Sequence, residues 1–340
     1  NVMVKIAPEM DMGRKETDRH AKPGHPFQLI ITQGLAVDDG VAVVGAGPAG
    51  MEAARVADLR GLDVTLLERQ KRLGGSMLLA ATVHADNEPF FHWLQRQVRE
   101  SGIDIRLGVE ATPAFLRSLK PDVVIVATGA NVETPVIPGA QQSHVFSGAQ
   151  LRRVVEGRAR RDEFTMLPGV LRGAAEKLMQ VVSSHLTPAF LRNSTRLWLP
   201  LGKRIVIVGA DLAAIELAEF LVKRGRRVSI LEQGKRIATE IGPKRRAEHM
   251  DRLDKLGVSI NTEVVCEAIL ADAVNYRTAQ GTTRTIAADS VVLAGEPVAA
   301  TELFEAIQEG APQVYAIGDC TGLGLIRKAT DEGMQVACAL

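Results

Sequence analysis

Cysteine is scarce in this 340-residue chain, and the three present, Cys266, Cys320 and Cys338, have neither metal-ligand nor C-x-x-C spacing. That excludes a disulfide framework and a thiolate zinc site, and it makes a reducing cytoplasm the expected compartment. Charge of one sign is lacking as well. The 41 Lys and Arg against 40 Asp and Glu leave a net charge of +1, which gives no reason to expect a nucleic-acid or membrane-surface partner. No apolar run approaches the ~18 residues of a membrane-spanning helix, and no secretory apolar segment opens the chain. An initiator Met is missing at Asn1, which reads as a piece of a longer polypeptide.

What is present is an internal repeat. V-A-V-V-G-A-G-P-A-G-M-E-A-A starts at Val41, and I-V-I-V-G-A-D-L-A-A-I-E-L-A starts at Ile205, 164 positions later (205 − 41 = 164). Each copy reads as strand, turn, helix and second strand, the second strand ending on an acid at Glu68 or Glu232. The spacing from turn glycine to acid is the same in both (68 − 45 = 23; 232 − 209 = 23). Two dinucleotide-shaped units in one chain point to a cofactor that gives electrons and another that takes them. The 46% apolar content is enough for the cores of two or three domains at this length.

In the first copy Gly45, Gly47 and Gly50 fill the three positions of G-x-G-x-x-G. The first allows a tight turn, the second lets a pyrophosphate approach the backbone, and the third lets helix and strand pack closely. A helix starting near Pro48 and Ala49 aims unsatisfied N–H groups and the positive end of its dipole at the phosphates. Glu68 falls where a carboxylate accepts hydrogen bonds from a ribose diol. A glycine-rich structural turn is the plainer alternative.

The text after the acid reads Arg69-Gln70-Lys71-Arg72-Leu73-Gly74-Gly75. Ala127-Thr128-Gly129 ends a later buried run, and Gly318-Asp319 ends the last one. With these motifs in this order, residues 39–340 resemble the two-dinucleotide-binding flavoproteins. The resemblance is in particular to the C-terminal FAD/NAD(P) half of the 2,4-dienoyl-CoA reductase and trimethylamine dehydrogenase family. It implies an α/β fold of two Rossmann-like, glutathione-reductase-like domains forming a three-layer sandwich with a small β-meander. It implies FAD in the first unit, with R-x-G-G along the pyrophosphate, A-T-G beside the flavin and Gly318-Asp319 on the ribitol. It also implies a partner, because in that family the substrate reacts in an FMN-binding barrel with an iron–sulfur cluster between the halves. Neither a barrel nor a cluster-binding cysteine set stands in this sequence. Asp319 also has a logic of its own: at a strand's carboxyl end it can accept hydrogen bonds from a polyol. The alternative is that it caps the final helix, expected over 325–340.

The second copy is then the nicotinamide site, built on Gly209, Asp211, Leu212, Ala213 and Glu232. Asp211 departs from the pattern, placing a side chain and a negative charge where a pyrophosphate would approach. At ~5 Å and an effective dielectric near 20, that repulsion is ~3 kcal/mol before screening, so a weak, shifted or silent site is expected. Glu232 favours NAD(H) over NADP(H), since a carboxylate repels a 2′-phosphate; Lys235 and Arg236 soften that preference.

The expected organisation is an arm over 1–38, an FAD-binding domain over 39–140 and 298–340, a helical connector over 141–200, and an NAD(P)-binding domain over 201–297. Helices are expected over 90–101, with Phe91, Leu94 and Val98 on one face, and over 243–256. An antiparallel meander is expected between 264 and 287. Arg152, Arg153, Arg158, Arg160 and Arg161 read as a solvated helix face. His144, His185 and His249 stand isolated, so no acid–base residue for a separate substrate is apparent. The C-x-x-x-x-C of disulfide-reductase relatives is absent, since Gly74-Gly75-Ser76-Met77 continues without thiols.

The expected activity is hydride transfer from NADH to the flavin, with electrons passed to an FMN or iron–sulfur partner domain or subunit; an oligomer is compatible with that expectation. Two alternatives stand beside it. One is a non-catalytic ADP- or FAD-binding scaffold with a silenced second site, since trimethylamine dehydrogenase-like relatives can hold ADP at the flavin position. The other is a free-standing reductase of ferredoxin or thioredoxin type.

Overall fold

A computed structural model describes residues 40–155, 186–197, 199, 201–308 and 313–340. The arm over 1–38, His185, and Arg158, Arg160 and Arg161 lie outside the described residues, as does most of the connector and the side chain of Arg152. The strands in chain order are β1 (Gly40–Val44), β2 (Asp63–Glu68), β3 (Asp104–Leu107), β4 (Val123–Val126), β5 (Ala130–Glu133), β6 (Val145–Ser147), β7 (Arg204–Val208), β8 (Arg227–Leu231), β9 (Ser259–Asn261), β10 (Val264–Ile269), β11 (Ala273–Thr278), β12 (Thr283–Ala287), β13 (Ser290–Leu293), β14 (Glu296–Ala299) and β15 (Gln313–Ala316).

The described residues fall into two compact units, one within 40–69, 97–129 and 299–340, the other within 70–96 and 130–298. Each is built on a five-stranded parallel sheet. In the first unit the order is β15-β4-β1-β2-β3. Continuous apolar runs rather than alternation form its middle, because helices cover both faces of a parallel sheet. Val41, Ala42, Val43 and Val44 are all buried, as is every residue of β4. Ala42, Val44, Leu67, Val124 and Val126 pack with Leu116, Phe304 and Cys320 in one core. On another side, Gly333 lets helix Ile326–Ala339 approach helix Pro48–Leu59, since a Cβ there would meet Ala49 O at 2.5 Å.

The second unit repeats the plan with the order β6-β13-β7-β8-β9. Its additions are the expected antiparallel meander β10-β11-β12, which carries a bulge between Cys266 and Ala268, and a two-stranded pair of β14 and β5. Val264, Ile269, Val274 and Tyr276 of the meander pack with Val206, Leu231, Val291 and Leu293 of the parallel sheet. The fold is therefore the expected pair of Rossmann-like α/β units in a three-layer arrangement with a small meander.

Both sheets reverse their winding beside the first strand of the repeat, between β1 and β4 and between β7 and β13. Ligands of open α/β sheets bind at the carboxyl ends of strands flanking such a switch. Both glycine turns lie there. Among the described residues no helix is long and apolar enough to cross a membrane.

Candidate cofactor sites

In the first turn the three glycines do three different things. Gly45 takes φ of 102° and donates its N–H to Leu67 O at 2.8 Å, and a Cβ on it would lie 2.4 Å from Ala127 O. A Cβ on Gly50 would lie 1.8 Å from Gly45 O, so the 48–59 helix can sit on the turn only through a glycine. Gly47 is the exception: its φ of −75° is open to any residue, and a Cβ there would meet nothing within 4 Å. Its bareness therefore serves the space above it rather than the backbone. Gly47 makes no side-chain cap hydrogen bond and Pro48 begins the helix, which leaves this amino end open to an anion. Glu68, buried at the end of β2, accepts the Ala46 N–H at 2.8 Å and braces the turn. These residues fit a dinucleotide pyrophosphate.

Asp319 comes to the same edge. Gly318, at φ of 74°, lies against the 48–59 helix, with a Cβ on it only 2.8 Å from Ala49 Cβ. The Gly318 N–H donates to Glu332 Oε2 at 2.7 Å, while Lys328 Nζ donates to Gly318 O and Gly322 O. One oxygen of Asp319 accepts the Gly324 N–H at 3.1 Å, and the start of helix Ile326–Ala339 has no side-chain cap. The N-cap position of that helix is Leu325. Ala127-Thr128-Gly129 follows β4 directly. Thr128 Oγ1 donates to Ala300 O at 2.9 Å, Gly129 O accepts from Ala300 N, and Gly129, at φ of 76°, has open space above it. Gly45, Gly47, Pro48, Ala49, Gly50, Glu68, Ala127, Thr128, Gly129, Gly318 and Asp319 therefore gather at the carboxyl end of one sheet. Cys320 is buried; burial pushes its thiol above the usual range, and Sγ donates to Ile317 O and Val126 O. It is a packed structural thiol.

Arg69 is exposed and ends the first segment of the first unit, whereas Arg72, Gly74 and Gly75 belong to the second. Arg72 is buried. Gly74, at φ of 121°, lies under the Phe91 ring, where a Cβ would come within 2.3 Å, and Gly75 has φ of 53°. The amphipathic helix Glu88–Arg99 supplies this support: Phe91 and Leu94 are buried as expected, and Gln95 Nε2 donates to Leu73 O at 2.9 Å.

The second turn copies the backbone and changes the chemistry. Gly209, at φ of 100°, donates its N–H to Leu231 O at 2.8 Å, as Gly45 does to Leu67. Asp211 has φ of −69° and ψ of 174°, close to the −75° and −177° of Gly47. It is the N-cap of helix Leu212–Val222, its Oδ1 accepting the Ala214 N–H at 2.7 Å. A side-chain cap of this kind satisfies one of the amino-end donors. The Leu212 N–H is taken by Glu240 Oε1. Glu232 does not brace the turn as Glu68 does; it accepts the Gly234 N–H at 2.6 Å. Burial pushes the Asp211 carboxyl above the usual range, opposed by the Ala214 N–H and reinforced by Glu240 and Glu232. Three carboxylates thus surround a helix start that the first unit leaves bare. Ala213 is exposed in the first turn of that helix.

Sequence reading missed two further groups. Glu240 had no motif to reveal it, although it stands 164 positions after Ser76 and so extends the repeat. His249 is not isolated: it is 1% exposed, and its Nδ1 lies 2.8 Å from Glu219 Oε1. Arg252 approaches the same carboxylate at 3.8 Å, while Arg245 lies 3.7 Å from Glu216. Burial pushes Glu216 up to about 7, with Glu219 raising it further and Arg245 opposing. The i, i+3 spacing of Glu216 and Glu219 on a helix was the available signal.

Comparison with known proteins agrees with this geometry. Residues 39–333 match the family model for pyridine nucleotide-disulphide oxidoreductases. The chain is 31% identical over 300 residues to an NADH oxidase of Thermoanaerobacter brockii, covering 87% of this chain and 40% of that protein. It is 29% identical over 326 residues to a bilirubin reductase of Mediterraneibacter gnavus, covering 94% and 44%. Among solved structures, a 2-naphthoyl-CoA reductase complex superposes with a TM-score of 0.69 at 29% identity, covering 89% of this chain and 40% of that one. The chain spans less than half the length of these relatives. With two dinucleotide turns on two parallel sheets and a family match over most of its length, this chain belongs to the pyridine nucleotide-disulphide oxidoreductases, the FAD- and NAD(P)-dependent two-dinucleotide flavoproteins.

Proposed function

We propose that the chain is the electron-input module of a larger reductase or dehydrogenase of the 2,4-dienoyl-CoA reductase and trimethylamine dehydrogenase type. The first unit holds FAD and the second receives NADH. Electrons then pass to an FMN or iron–sulfur domain or subunit, which acts on the final substrate. When bound, the two cofactors supply the hydride and electron chemistry; the protein supplies alignment, electrostatics and exclusion of water. The pyrophosphate belongs against Gly45, Gly47 and the open amino end at Pro48, Ala49 and Gly50, with Glu68 bracing the turn and Asp319 available to a polyol. The observation that carries this reading is the empty, uncapped space over Gly47 on the same sheet edge as Asp319. The hand-off to a partner rests on the motif order and on relatives more than twice as long as this chain. Glu232 favours NADH over NADPH. The test is spectroscopic: purified protein reconstituted with FAD is expected to be yellow and to bleach on NADH addition without air. Absence of flavin absorbance after reconstitution would falsify the assignment.

A second reading has a specific observation in its favour. Asp211 and Glu240 both occupy the helix start of the nicotinamide unit, as a scaffold with one silenced site would have them. Calorimetry separates the two. An NADH Kd tighter than about 1 mM supports the electron-input role, and no detectable binding supports the scaffold.

A further inference from the structure

Glu240 is held where it is by more than its own carboxylate. It lies in an exposed crest, with Thr239, between Ile237 and Ala238 on one side and Ile241 on the other, all three buried at 2–3% exposure. Ala238 takes φ of 44° and donates its N–H to Ala210 O at 2.7 Å, which ties the crest to the glycine turn. Arg246 clamps it from the next helix, Pro243–Lys255. Its Nε donates to Ala238 O at 3.1 Å and its Nη2 to Thr239 O at 3.4 Å and Ile241 O at 2.8 Å. The carboxylate so presented accepts the Leu212 N–H, the first amide of the helix that follows the turn. An amide in that position, at the positive end of a helix dipole, is one that otherwise meets a dinucleotide phosphate. In the first copy of the repeat the residue at the same spacing is Ser76, which is exposed, and the first helical residue is Pro48, which has no N–H.

We propose that Glu240 is an internal anion seated at the phosphate position of the second dinucleotide unit, and that it sets nicotinamide affinity by having to be displaced. The proposal rests on the reading of this unit as the NADH-binding one. Asp211 and Glu240 divide the work. Asp211 is fixed in the cap by Ala214 and shapes the backbone, whereas Glu240 stands on an exposed crest and can leave without disturbing the turn. Nicotinamide binding then exchanges one anion for another at the same amide. Its strength depends on how firmly Arg246 holds the crest.

The experiment uses the whole chain in two variants, Glu240→Gln, which removes the charge and keeps the shape, and Glu240→Ser, which places here the residue found 164 positions earlier in the repeat. NADH binding is followed by titration calorimetry, and the Leu212 amide by hydrogen exchange. Both variants are expected to bind NADH about tenfold more tightly than the parent, with the serine variant at least as tight as the glutamine. In Glu240→Ser without nucleotide the Leu212 amide is expected to exchange faster, and NADH is expected to restore its protection. An unchanged Kd in both variants overturns the proposal while leaving the nicotinamide reading intact. Failure of the parent and both variants to bind NADH overturns that reading and the proposal with it. Because Glu240 is exposed, the variants are expected to fold, and an unchanged melting temperature checks that they do.

Discussion

The turns over residues 45–50 and 209–214 share a backbone and differ in what stands above it. Both first glycines have φ near 100° and donate to the carboxyl end of the neighbouring strand. Both helix starts have an extended residue at the cap position. Above the first there is open space; above the second there are Asp211 and Glu240. The divergence continues along the helices. Glu52 pairs with Arg55 at 2.7 Å, but their counterparts 164 positions on are Glu216 and Glu219, two acids that depend on Arg245, Arg252 and His249 from another helix. A Rossmann backbone thus survives the replacement of its anion-binding face by an anionic one. Fold and ligand chemistry are separately specified.

The largest effect should come from the third turn position, where the two copies carry Gly50 and Ala214. Gly50→Ala pushes a Cβ to 1.8 Å from Gly45 O, and neither backbone can yield without separating helix from strand. A loss of about 3 kcal/mol or more is expected, measured by denaturant unfolding, together with loss of retained flavin. The second unit tolerates Ala214 at the equivalent place, so Ala214→Gly should cost only about 1 kcal/mol through helix propensity. Equal costs at the two sites would mean that the close approach of helix to turn is not peculiar to the first copy.

Gly47→Asp converts the first turn into the second at its point of difference. The cap residue already has the backbone angles that Asp211 adopts, and the added side chain meets open space. The apoprotein should therefore melt within about 1 °C of the parent, while FAD affinity falls roughly a hundredfold from a repulsion of ~3 kcal/mol. Retention of FAD with normal affinity would show that the pyrophosphate lies elsewhere.

Next in size is a pH effect confined to the second unit. Glu216 is 8% exposed, and burial raises its folded pKa to about 7 from 4.5. The folded state therefore holds this proton more tightly than the unfolded state. The resulting stability is complete below about pH 4.5 and is lost as pH rises through about 7. Glu216→Gln keeps the buried shape without the charge, so it should be more stable than the parent at pH 8 by about 1–3 kcal/mol, with the gap closing toward pH 4.5. Glu52→Gln is the control. Glu52 is equally buried at 8% exposure but is paired with Arg55 at 2.7 Å on its own helix, so its substitution should show no such gain. Parallel melting curves for Glu216→Gln and the parent across this range would remove the distinction between the two helices.

The fold was legible because long-range order followed from short-range text. Four buried hydrophobic residues, a glycine turn and an acid at fixed spacing specify strand, turn, helix and strand twice over. The meander was legible from alternation around the 278–284 turn. Strands β5, β6 and β14 were not anticipated, having only three or four residues each, too few for a period to show. Helices Met77–Val83, Pro113–Leu119 and Glu302–Ile307 were missed for the same reason of length. Thr187 and Pro188, within the expected helical connector, start a helix, with Phe190 N donating to Thr187 Oγ1. In the site, motif residues were found because their spacing is fixed. Glu240, His249 and Arg246 act through contacts between separate elements, which no local pattern encodes.

The smallest effect sharpens the comparison at the acid that ends each second strand. Glu68 braces its turn through Ala46, whereas Glu232 accepts the N–H of Gly234, two residues along its own chain. Lys235, the nearest cation in sequence, is 84% exposed at its side chain and 3.9 Å from Glu263, so it offsets little of the Glu232 charge. Glu232→Ala should cost about 1 kcal/mol of stability for the lost hydrogen bond and shift the ratio of NADPH to NADH affinity about tenfold toward NADPH. Because the ratio compares two ligands on one protein, the stability loss cancels from it. What remains is the interaction of one carboxylate with one 2′-phosphate, and a ratio left unchanged would move the ribose contact away from Glu232.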